Sequence, residues 1–223
     1  MSGYHLNFNL VWRHFDRLYL GLLRGIGIAV ISILIGIVIG LVLALVYTRS
    51  HRVLRGMVAL YVEFIRNVPL LLLVYLIFYG VPSIGGFAYG ATTSFIITLA
   101  LYSGANLVEI FRAGLDAIPE SLIDAGKAIG LTSFQRLLWV QLPTMFRIVL
   151  PSLGNAFISL FKDTSLAAVI AVPELTYGAQ WINFNTFRVV EVYMVVTPMY
   201  LVTGYAITFV LQRIERKYSL KKS

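Results

Sequence analysis

Cysteine is absent from the 223 residues, histidine occurs only three times, and 13% of the chain is charged. The first absence excludes a disulfide framework and a thiolate metal site. The second leaves His5, His14 and His51, all outside the long apolar runs, so a Ser/His protease or a bis-His haem site within a bilayer has no residues to build it. The third is about half of the roughly 25% charged residues of an ordinary soluble domain. In their place the chain is 59% hydrophobic with a mean hydropathy of +0.83, which excludes disorder and a collagenous repeat and describes a chain that sits in a bilayer. Its basic excess, 18 Lys plus Arg against 10 Asp plus Glu, fits the water-exposed loops of such a chain and implies no nucleic-acid partner.

Five spans are predicted within one transmembrane domain covering 1–223, an all-α fold. Met1 to Arg24 carries Arg13, Asp16, Arg17 and Arg24, and no small-residue cleavage site follows, so a removed signal peptide is not expected. Gly25 to Tyr47 holds no charge and, at about 1.5 Å per residue, reaches roughly 35 Å, enough to cross an apolar core of about 30 Å. This first span, about 25–47, carries Gly27, Gly36 and Gly40 at helical spacing, which allows another helix to approach closely. A second, about 57–79, contains Glu63, Arg66, Asn67 and Pro69, so its first half is expected at the interface or along a protein-lined cavity. The third, about 92–110, is unusually polar, with Ser94, Tyr102, Ser103 and Asn106. The fourth, about 146–172, is expected to be discontinuous at Lys162-Asp163-Thr164-Ser165, and the fifth runs over about 190–211. Between the third and fourth lies one long polar element, 112–143, read as two amphipathic helices, Leu115 to Ile129 and Ser133 to Leu142, separated by Gly130.

Twelve of the 18 basic residues fall on one side of these spans, in 49–55, in the 112–147 region and in the tail Arg213, Arg216, Lys217, Lys221 and Lys222. The opposite side holds Arg13, Arg17, Arg24, Lys162 and Arg188, so the N-terminus is expected outside and the long loop and C-terminus in the cytoplasm. Gly126-Lys127 has the tail of a phosphate-binding loop, but Ser121 replaces its first glycine and Ala128 the hydroxyl residue that would meet magnesium. Nucleotide energy, if used, therefore has to come from another subunit.

The long loop reads Asp124-Ala125-Gly126, three residues, Gly130, nine residues, Val140, one residue, Leu142-Pro143. That pattern resembles the Glu-Ala-Ala loop of permease subunits of bacterial ABC importers. Phe64-Ile65-Arg66-Asn67-Val68-Pro69-Leu70 and Lys162-Asp163-Thr164-Ser165-Leu166 resemble segments of the polar amino-acid subfamily, of histidine, glutamine and glutamate permease type, so the likeness covers nearly the whole chain. Three positions depart from the pattern: Asp124 for Glu, Gly126 for the second Ala, and Leu122 for Gln. Gly126 is expected to weaken its helix by about 1 kcal/mol relative to alanine.

The resemblance implies a type I importer permease: an identical or sister permease partner, two cytoplasmic ATPase subunits that hold the ATP and Mg, an extracytoplasmic amino-acid-binding protein, and no cofactor in this chain. It implies ATPase coupling through Asp116, Glu120, Asp124, Ala125, Gly126, Lys127, Gly130 and Leu131. Substrate passage is expected along Asn106, Asn155, Lys162, Asp163, Thr164 and Ser165, where an ammonium and a carboxylate could meet a zwitterion. Asn106 and Asn155 are expected first to join helices by hydrogen bonds. Glu63 with Arg66, and Glu109 with Arg112, are read as structural ion pairs at i, i+3. Two other classes remain: a proton-coupled secondary transporter dimer using Glu63, Glu109 or Asp163, and a membrane anchor, which would gain nothing from polar groups at depth.

Overall fold

The computed structural model describes residues 5–86 and 88–218, and every regular element among them is helical. Lys221 and Lys222, counted above, lie outside the described residues. The principal helices are α1 (Phe15–Arg49), α2 (Arg52–Asn67), α3 (Leu70–Gly85), α4 (Ala91–Asp116), α5 (Glu120–Ala128), α6 (Ser133–Ile170), α7 (Leu175–Thr186) and α8 (Val189–Tyr218). Among the described residues α1, α4, α6 and α8 are long and apolar enough to cross a membrane, and the bent pair α2 and α3 makes a fifth candidate.

The bend between α2 and α3 is 108°. Its cause is local: Pro69 pushes the residue before it out of the helical region, and Val68 lies at φ −92°, ψ 132°. The second span is thus a corner. α2 packs Val58, Val62 and Ile65 inward, and the Tyr61 hydroxyl donates to the Leu101 carbonyl of α4 at 2.7 Å.

α1 begins at Phe15, a full ten residues before the uncharged run, because its basic residues find partners on α7 and just before it. The Arg17 guanidinium stacks 3.7 Å from the Trp181 ring centroid, and Arg24 donates to the Pro173 carbonyl at 3.4 Å. Further along, Gly36 and Gly40 face Ser103, Gly104 and Leu107 of α4, and a Cβ on Gly40 would lie 2.6 Å from the Leu107 Cβ. Small residues one turn apart let the two backbones touch at Gly36 and Gly40, as their spacing predicts, whereas Gly27, expected to share in the close approach, has nothing within 4 Å of where its Cβ would be.

The fourth span differs most from expectation. The stretch read as a second loop helix, Ser133 to Leu142, is the start of α6 itself, with a wide π turn at Leu137–Gln141. That widening lies ahead of Pro143, whose ring in a regular α-helix would strike the Trp139 carbonyl. The expected break at Lys162–Ser165 is not a gap. The chain tightens from α to 3-10 geometry at Thr164, runs on to Ile170 and ends at Ala171, φ 58°. Thr164 is buried, bonds the Phe161 carbonyl at 2.7 Å and sits against Gly25 of α1, so this turn is held closed by packing.

Candidate functional site

The projecting element is shorter than the 112–143 expected from sequence. α4 runs through Arg112 and Leu115 to Asp116, and α5 starts after Pro119, so the projecting part is α5 with its turn into α6. α5 ends at Gly130, φ 80°, where the Gly130 N–H donates to the Lys127 carbonyl at 2.9 Å and the Leu131 N–H to the Gly126 carbonyl at 3.0 Å. These two bonds form the Schellman ending that glycine makes accessible. Thr132 and Gln135 then close a capping box at 3.3 and 2.8 Å that starts α6. Arg136 ties the turn together, donating to the Leu131 carbonyl at 2.6 Å, and a Cβ at Gly126 would lie 3.3 Å from its stem. Gly126 therefore makes room for the clamp. The outer surface of this knob carries Glu120, Asp124, Ala125 and the exposed apolar groups Leu122, Ile129, Phe134 and Trp139. Asp124 accepts from Lys127 at 2.8 Å. Asp116, on α4, is exposed at its base.

A cavity of about 480 Å³ opens between α4 and α6. Asn106, Asn155 and Asp163 line it together, with Tyr102, Ser103, Ser152 and Ser159. Ser152, Asn155, Ser159 and Asp163 recur at three- and four-residue steps, a polar stripe on one face of α6. That periodicity was the available signal for Ser152 and Ser159, which the sequence reading missed. Among the described residues the asparagines do not join the helices: Asn106 donates to the Tyr102 carbonyl of its own helix at 2.9 Å, and Asn155 lines the cavity. Lys162 and Ser165 lie elsewhere, on a second cavity of about 620 Å³ between α6, α7 and α8. Because α6 continues unbroken through Asp163, neighbouring residues are set about 100° apart around its axis, so Lys162 and Asp163 address different spaces. The zwitterion-binding pair proposed from sequence is thereby divided, and Thr164 is withdrawn into the packing.

A third cavity, of about 400 Å³, lies between α2 and α4, lined by Glu63, Arg66, Asn67, Glu109, Arg112 and Tyr47 among others. The expected pair Glu109–Arg112 forms at 2.9 Å, with the guanidinium 4.1 Å from the Tyr47 ring centroid. The pair Glu63–Arg66 does not. Among the described residues neither side chain has an ion pair within 4 Å or a hydrogen bond, because both face open space where an i, i+3 attraction is weak.

One carboxylate escaped notice in the sequence. Glu174, 1% exposed, caps α7 by accepting from the Thr176 and Tyr177 N–H groups at 2.9 and 2.7 Å, and accepts from the Tyr200 hydroxyl of α8 at 2.9 Å. Burial pushes its carboxyl from the ordinary 4.5 up to about 7, against the lowering effect of those donors. A folded-state value above the unfolded one means that this group's stabilisation is complete below pH 4.5 and is lost as pH rises through 7. The thermal midpoint of the purified chain is expected to fall between those pH values, and Glu174→Gln is expected to flatten that fall. An unchanged slope in the variant would remove Glu174 as its source.

Among the described residues no cluster of His, Asp and Glu could hold a metal ion. The family described as the binding-protein-dependent transport system inner membrane component matches residues 36–219. The chain is 35% identical over 91% of its length, and 94% of the other, to the probable glutamine ABC transporter permease protein GlnP of Bacillus subtilis (strain 168). It is 34% identical, over 72% of its length and 74% of the other, to the glutamine transport system permease protein GlnP of Escherichia coli (strain K12). The crystal structure of an amino acid ABC transporter with histidines superposes with a TM-score of 0.88 at 28% identity, covering 96% of this chain and 100% of that one. The inward-facing MetNI methionine ABC transporter shares the fold, with a TM-score of 0.81 at 20% identity over 96% of this chain and 100% of that one.

Proposed function

The chain belongs to the binding-protein-dependent transport system inner membrane component family, as an ABC importer permease, and we propose that it carries a polar amino acid inward on energy supplied by separate ATPase subunits. The single observation that carries this reading is the knob: a short helix closed by a Schellman turn and a capping box, with apolar and acidic groups turned outward from the bundle. An isolated membrane protein gains nothing from exposing Ile129, Phe134 and Trp139 there. A groove on a cytoplasmic ATPase would cover them. Two such subunits, a second permease copy or sister, and an extracytoplasmic amino-acid-binding protein complete the assembly, with ATP and Mg on the ATPases.

In this reading the N-terminus is outside, and the knob and C-terminus are cytoplasmic. Closure of the ATPases on nucleotide moves the knob, and because the turn is clamped by Arg136 and continuous with α6, the movement passes into the wall of the Asn106, Asn155 and Asp163 cavity. The Asp163 carboxylate receives the α-ammonium of the substrate, and the two amides and the serine hydroxyls take its polar atoms. Glutamine, named for relatives, is the first substrate to try. The proton-coupled alternative is not supported, since the family works with a binding protein.

Mild-detergent co-purification tests the reading. The native chain is expected to bring down an ATPase, and Asp124→Arg, which turns the Asp124–Lys127 attraction into repulsion at the contact face, is expected to lose it while remaining folded. A stable permease dimer with no ATPase, indifferent to the substitution, would overturn it.

A further inference from the structure

The cavity between α2 and α4 holds one closed ion pair and, beside it, a carboxylate and a guanidinium that have no partner among the described residues. Glu63 and Arg66 stand at the spacing that would let them pair with each other, yet both are exposed on this cavity and leave their charges available to a ligand. Both line a space of about 400 Å³, within the range of small-molecule sites. Arg112 pairs with Glu109 and lies over the Tyr47 ring, and the Asn67 amide nitrogen donates to the Glu63 backbone carbonyl at 2.7 Å, leaving its oxygen as an acceptor. A free carboxylate, a free guanidinium and an amide oxygen match the ammonium, carboxylate and polar side chain of a zwitterionic amino acid. Guanidinium and carboxylate meet in a two-bond fork that a lone point charge does not provide.

This cavity lies on another face of α4 from the first, which Ile110 also lines, and slightly further toward the knob. Asn106 lines one and Glu109 the other, three residues or about 4.5 Å apart along the helix axis. We propose that Glu63, Arg66 and Asn67 form a second amino-acid site, on the knob side of the Asp163 cavity, that receives the substrate's carboxylate on Arg66 and its ammonium on Glu63 before release. The inference rests on the amino-acid permease reading and adds to it a second position for the substrate on the same chain, one that carries both charges.

Equilibrium dialysis of radiolabelled L-glutamine against the intact permease–ATPase complex in nanodiscs separates the two readings. The native complex is expected to bind two molecules per permease chain, Asp163→Asn one, Arg66→Gln one, and the double variant none. Butyramide, which keeps the side-chain amide and lacks both charges, is expected not to compete. Retention of one site in Arg66→Gln shows that the variant is folded. One molecule per native chain, unaffected by Arg66→Gln or Glu63→Gln, would overturn the second site and leave the permease reading standing. No binding of L-glutamine or of other polar amino acids to the native complex would overturn both.

Discussion

Gly40→Val is expected to leave little folded protein, whereas Gly27→Ala on the same helix is expected to be neutral or mildly stabilising. The difference lies in what a side chain would meet. A Cβ at Gly40 falls 2.6 Å from the Leu107 Cβ and 3.1 Å from the Gly104 carbonyl oxygen, fixed atoms that no rotamer change can move aside. At Gly27 nothing lies within 4 Å, so an added methyl only removes the conformational freedom that makes glycine a poor helix residue. Overpacking a core that can adjust costs about 1–3 kcal/mol. Here the two helices would have to separate along their whole crossing, and Ser32, Ser103 and the buried Phe95, Leu99 and Leu107 would lose contacts with them. Size-exclusion profiles and thermal midpoints of the two variants in one detergent check this. Equal midpoints would mean that the α1–α4 contact does not hold the bundle.

Asp163→Asn is expected to lower apparent affinity for an amino-acid substrate on the order of 10- to 100-fold, since a hydrogen bond to a charged group is worth about 1.5–3 kcal/mol and each 1.4 kcal/mol is a factor of ten. The ATPase should still co-purify, because Asp163 lies more than a helix turn from the knob on α6. Lys162→Gln is the informative companion. The sequence alone makes Lys162 and Asp163 equal candidates, but they open on different cavities, so the lysine variant is expected to transport within a few-fold of the native chain. Concentration-dependent uptake in proteoliposomes decides. Equal losses in the two variants would place the substrate at the 620 Å³ cavity or across both.

What the sequence made legible was mostly what glycine enforces. Gly130 marked a break after a short helix and makes a left-handed stop there, whereas Pro69 was read within one span, 57–79, and the 108° corner it makes was not foreseen. Gly36 and Gly40 likewise marked a close helix crossing, and Asn106, Asn155 and Asp163, expected along one path, do share a cavity, although the helix-joining hydrogen bonds expected first of the two asparagines do not form among the described residues. The other misplacements come from contacts distant in sequence. Nothing near Arg17 or Arg24 tells that Trp181 and Pro173 will accept them and extend α1 to Phe15. The polar run Lys162 to Ser165 has the composition of a break, yet Thr164 bonds its own helix and is covered by Gly25, which keeps the helix going and turns Lys162 away. Glu174 has no local pattern that announces a buried carboxylate, since its third donor, Tyr200, is on another helix.

The most direct measurement is uptake of radiolabelled L-glutamine into proteoliposomes holding this chain with its co-purified ATPase and binding protein. Uptake that requires enclosed ATP, stops in Asp124→Arg and is indifferent to a proton ionophore is the predicted result. Uptake by the chain without the ATPase, driven by a pH gradient and abolished by the ionophore, would contradict the account.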